Sequence, residues 1–110
     1  MIDWDRVIAL RDEVGAEDFD EVVELFLQEV DEEIADLEGV ASGTALGEKL
    51  HFLKGSALSL GFRQFSSLCQ TGESNIAADP ASAVDLGQIM STYQASREVF
   101  LTELKEKTAH

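Results

Sequence analysis

Residues 51 to 61 read His-Phe-Leu-Lys-Gly-Ser-Ala-Leu-Ser-Leu-Gly, and here the side chains able to do chemistry fall at regular spacing. His51 is one of two histidines in the chain. Lys54 follows one helical turn later, with Gly55 beside it. An imidazole in water titrates near pH 6.5, so at pH 7 it is largely neutral and one ring nitrogen keeps a lone pair. That nitrogen can act as a nucleophile. An ammonium group one turn away suits an anionic phosphoryl group carried on the ring. Glycine disfavours a helix by roughly 1 kcal/mol against alanine, so Gly55 needs a reason other than helix stability. It leaves no side chain in the way of an approaching partner.

Plainer readings compete with this one. An isolated histidine or lysine on a helix is most often solvated surface. A metal site would need a second ligand at i+4 from His51, where Gly55 stands. A Ser–His catalytic pair would draw on Ser56 or Ser59, but no nucleophile elbow surrounds either serine.

The elements that must hold these residues read as helical almost throughout. Asp3 caps a short first helix, about residues 3–13, carrying Val7, Ile8 and Leu10, and Gly15 breaks it. A long helix follows over about 17–38. Phe19, Val22, Val23, Phe26, Val30, Ile34 and Leu37 mark its apolar face, and the GVASG stretch ends it. Thr44 is placed to cap the next helix, whose Leu46, Leu50, Leu53, Ala57 and Leu60 step by fours and threes like a bundle seam. Gly61 closes it. A fourth helix spans about 63–78, with Phe65, Leu68, Cys69, Gly72 and Ile76 inward, and Asp79-Pro80 stops it. Ser82 to Asp85 resembles a capping box opening a last helix to about Lys107. Short connections make neighbours antiparallel. The expectation is an all-α fold: an up-down four-helix bundle over about 17–107, a short extra N-terminal helix, and a single domain over 1–110.

Direction decides what His51 can do. On a wheel of about 100° per residue, His51 lies roughly 140° from the seam direction, Gly55 roughly 180° and Leu58 roughly 120°. Lys54 lies roughly 80° away, at the flank. The histidine is therefore presented outward from a helix that its leucines lock in place.

Bulk properties limit the alternatives. The net charge is −14, with 15 acids and two arginines in residues 1–40. Residues 41–72 carry a net +2, a positive island around His51. A surface this acidic argues against nucleic acid and anionic membrane as partners, since both require clustered Lys and Arg. The single cysteine, Cys69, has no internal disulfide partner, and no secretory signal is visible at the N-terminus. The expectation is a soluble cytoplasmic monomer. The opening Met and a helix running almost to the C-terminus favour a free-standing domain over one excised from a hybrid kinase.

At this point the stretch His51 to Gly61 resembles the signature of histidine-containing phosphotransfer (HPt) domains. That signature is a histidine, a spacer, an aliphatic, Lys-Gly, small residues, an aliphatic, and Gly ten positions after the histidine. Every fixed position matches, and the helix layout extends the likeness over most of the chain. The resemblance implies a phosphorelay intermediate that takes a phosphoryl group from a receiver-domain aspartate onto His51 and passes it to another response-regulator receiver. A hybrid sensor histidine kinase would stand upstream. By position, Lys54 would assist the phosphoryl group and Gly55 would keep the approach open. No autonomous kinase or phosphatase activity is expected. The domain itself would bind no cofactor or metal, with Mg²⁺ on the receiver. Receiver docking would use apolar residues near the histidine and on the first helices, for which Leu58, Val7 and Ile8 are candidates. A polar side chain of the following helix could orient the imidazole, with Gln70, Glu73 or neither in that place. A binding-only adaptor that docks a receiver without carrying phosphate is the rival reading, and an autonomous hydrolase or metalloenzyme a remote third.

Overall fold

The computed structural model describes residues 2–37, 39 and 43–108. Among the described residues five helices follow in chain order: α1 (Trp4–Val14), α2 (Phe19–Leu37), α3 (Gly43–Leu60), α4 (Arg63–Ala78) and α5 (Leu86–Lys107). Helices α2 to α5 form the bundle, and α1 packs against α2 and α3. The fold is the all-helical bundle with an extra N-terminal helix that the apolar periodicity predicts.

Each element has a local cause. Asp3 caps α1, its side chain accepting from the Arg6 amide, and Gly15 ends that helix at φ 88°. The seam residues of α3, from Leu46 to Leu60, are all at most 1% exposed and share one core with buried residues of α1, α2, α4 and α5. Fully burying each leucine contributes roughly 1.5–3 kcal/mol, so α3 is held rigidly along its length. On the far side Tyr93 of α5 donates to Asp31 Oδ1 of α2 at 2.6 Å, tying the last helix to the first of the bundle.

Only two residues, Gly61 and Phe62, separate α3 from α4. Gly61 has φ 77°, and a Cβ there would stand 2.6 Å from the Asp3 carbonyl oxygen. The Asp3 amide in turn donates to the Gly61 carbonyl at 2.7 Å. Glycine is thus required twice, for the left-handed turn and for the close passage of the N-terminal segment.

Several boundaries differ from those the sequence suggests. Helix α2 begins at Phe19 rather than Glu17, because residues 16–18 form a turn ahead of it. Its expected end at Glu38, and residues 40–42 of the GVASG stretch, lie outside the described residues. Helix α3 begins at Gly43, so Thr44 sits inside its first turn rather than capping it. Asp85, not Ser82, caps α5: its carboxylate accepts from the Gln88 amide at 2.9 Å. Leu27 joins the α2 core, whereas Val22 and Phe26 are half-buried.

Candidate functional site

The two-residue turn after Leu60 sets the register of the α3–α4 hairpin. Counting back and forward from it, His51 and Glu73 fall at nearly equal distances and so meet across the helix pair. His51 Nδ1 lies 3.0 Å from Glu73 Oε1 and 3.2 Å from Oε2. The Lys54 ammonium lies 3.2 Å from both carboxylate oxygens. One carboxylate of α4 therefore serves both candidate groups of α3.

This contact fixes the chemistry of the ring. The hydrogen bond from His51, with the Lys54 contact adding to it, holds the Glu73 carboxyl below its ordinary titration range despite partial burial. An ionised carboxylate only accepts, so Nδ1 carries the hydrogen and donates it. In the neutral ring the lone pair is then on Nε2. The imidazole side chain is 69% exposed, so that nitrogen is open to a second molecule. A nucleophile held in one tautomer by a carboxylate behind it is the arrangement used to activate a histidine for group transfer.

The other sequence candidates divide. Gly55 is exposed, and a Cβ placed there would meet nothing within 4 Å. Leu58 is 55% exposed on the same side of α3. Lys54 is mostly buried against α4, with its charge directed at Glu73. Ile8 is half-buried on α1. Val7 does not belong to a docking surface: it is 1% exposed and reaches the turn, where its Cγ2 would stand 3.2 Å from a Cβ on Gly61. The first helix turns Val7 rather than Ile8 into the bundle because its N-terminus is pinned to Gly61. Phe52 adds an exposed ring beside His51 that periodicity did not single out. Of the two candidates to orient the imidazole, Gln70 instead donates to Ser74 Oγ at 2.9 Å, and Glu73 holds the ring.

Neither Ser56 nor Ser59 supports a Ser–His pair. Ser56 is buried, and the hydrogen bonds of the His51 ring among the described residues go to Glu73 and to neither serine. Among the described residues no group of three or more His, Cys, Asp or Glu is placed to hold a metal ion. Cys69 lies beneath the site, where burial above all, with the nearby Glu73 charge, pushes its thiol up to about 12. No described helix is long and apolar enough to cross a membrane.

A helical bundle that offers one activated imidazole to solvent from a rigid helix has the layout of a group carrier, which meets its reaction partner at the surface. The Hpt domain family model matches residues 21–107, and the chain belongs to that family. Such domains are phosphocarriers of two-component systems that work with receiver domains, without kinase or phosphatase activity of their own. The comparisons with curated proteins and with solved structures returned no match.

Proposed function

We propose that this domain is a cytoplasmic relay intermediate in which His51 Nε2 accepts a phosphoryl group from the aspartyl phosphate of one receiver and gives it to the aspartate of another. The supporting observation is the outward imidazole whose Nδ1–H is held by Glu73, leaving Nε2 as the reacting atom. In the forward step the Nε2 lone pair forms the N–P bond while the acyl P–O bond breaks. The receiver aspartate leaves as a carboxylate. The ring gains positive charge as it attacks, and the Glu73 carboxylate, 3.0 Å from Nδ1, offsets it.

Lys54 keeps ammonium hydrogens beyond those facing Glu73 and would share them with the incoming phosphoryl oxygens. Mg²⁺ on the receiver would neutralise the acyl phosphate. Most of the acceleration comes from docking, since well-oriented pairs reach effective molarities of about 10⁵ M or more. The open space at Gly55 and the exposed Leu58 and Phe52 suit that docking, and the half-buried Ile8 of α1 is a further candidate for it. Because N–P and acyl-phosphate bonds are both of high transfer potential, the step runs in either direction.

Incubation with a phosphorylated receiver and Mg²⁺ should place an acid-labile label on the domain. His51→Gln should abolish that label while leaving the far-UV circular dichroism unchanged. Acid-labile label persisting on the variant would refute the assignment.

A further inference from the structure

Two clefts flank the His51–Glu73–Lys54 cluster along the α3–α4 seam, and they carry opposite charge. One, of about 410 Å³, is lined by His51 and Glu73, the apolar Ile76, Ala77 and Pro80, and Glu48. The other, of about 310 Å³, is lined by Lys54, Leu58, Arg63, Ser66, Ser67 and Gln70. Lys54 and Glu73 largely cancel each other at 3.2 Å. Among the described residues, neither Glu48 nor Arg63 takes part in an ion pair. Both are exposed. The seam therefore presents a free anion at one end and a free cation at the other.

We infer that Glu48 and Arg63 set the orientation in which a receiver docks over His51, requiring a Lys or Arg of the receiver at the Glu48 cleft and an Asp or Glu at Arg63. This rests on the relay reading of His51. Transfer brings the reacting atoms within about 3–3.5 Å, and His51 is part of the wall of the first cleft. A receiver in reaction range thus covers that cleft. An aliphatic stem ending in a positive charge matches an apolar lining with Glu48 beside it.

At the opposite end the domain's net charge of −14 repels an acidic partner, and Arg63 marks a place where a carboxylate is received. The helical rise separates Glu48 from the end of α3 by about 18 Å. That exceeds two Debye lengths at physiological salt, where one is about 8 Å, so the two charges act on a partner independently. A receiver docked in reverse would set like charges together at both ends.

The test uses the intact domain and the receiver, among those of the same genome, that exchanges phosphoryl groups with it fastest. KM for transfer is measured for the wild type, Glu48→Lys, Arg63→Glu and the double variant. Each variant's rate of labelling by phosphoramidate, a donor that needs no docking, serves as its reference. At low ionic strength each single reversal should raise KM about tenfold, an effect that fades as salt rises. Reversing the matching charge on the receiver should restore KM. A KM within about twofold of wild type for both reversals at low salt would overturn the docking orientation and leave the relay reading intact. Failure of both phosphoramidate and every receiver to label His51 would overturn the relay reading itself.

Discussion

Gly55 sets stability and function in opposition, which makes it the most informative residue to change. It lies inside α3 with ordinary helical φ, exposed, and a Cβ there meets nothing within 4 Å. Replacing an interior helical glycine by alanine then contributes about 0.5–1 kcal/mol of stability. For a domain of this size that raises Tm by about 2–5 °C. On the wheel Gly55 is one turn from His51 on the same outward side, where Cβ atoms stand about 5–6 Å apart. A methyl group there holds a docked surface off by about 1 Å, and misplacement of that order lowers transfer by up to about 100-fold. Gly55→Ala should therefore melt higher and transfer more slowly, and Gly55→Trp should transfer more slowly still. Thermal denaturation supplies the first number and single-turnover transfer from a phosphorylated receiver the second, scaled to each variant's phosphoramidate rate. If Gly55→Trp accepted phosphate from the receiver as fast as wild type, the idea of a clearance would be wrong.

Glu73→Ala should release the imidazole from its single tautomer: losing a hydrogen bond worth about 1 kcal/mol shifts the ratio about fivefold, readable in the ¹⁵N spectrum of the His51 ring. Since its folded pKa is depressed, Glu73 contributes stability above its unfolded value near 4.5 that disappears as pH falls through the lower folded value. Urea midpoints of wild type and Glu73→Gln should accordingly differ at neutral pH and converge in acid. Cys69, with its thiol pushed up to about 12, should resist a thiol reagent at pH 8 in the native domain and react once in denaturant. Tyr93→Phe removes the 2.6 Å bond to Asp31 and should lower unfolding free energy by about 1–2 kcal/mol, with phosphotransfer unchanged because that contact lies on the far side of the bundle.

The helix carrying His51 was legible because its five seam residues obey one period without exception, which alone determines that the histidine points out. Helix beginnings were less so. Ser82 and Asp85 are both good caps, and the choice went to the carboxylate that reaches the Gln88 amide. Val7 and Ile8 are adjacent aliphatic residues on a short helix. Which of them turns inward depends on how the chain start is tied to Gly61, and that contact spans more than half the sequence. Glu73 was only one of two candidates because its meeting with His51 depends on hairpin register. A turn length of two residues would have supplied that register, since it sets His51 opposite position 72 or 73.

The reacting groups all ride on one helical hairpin, α3 and α4, joined by that two-residue turn. Among the described residues, helices α2 and α5 contribute none of the hydrogen-bond partners of the imidazole. The hairpin is therefore a portable unit: transplanted onto another bundle with the same leucine spacing, it would bring along the nucleophile, its tautomer control and its cation together. The scaffold beneath could then diverge freely so long as it kept the hairpin straight and the glycine corner intact.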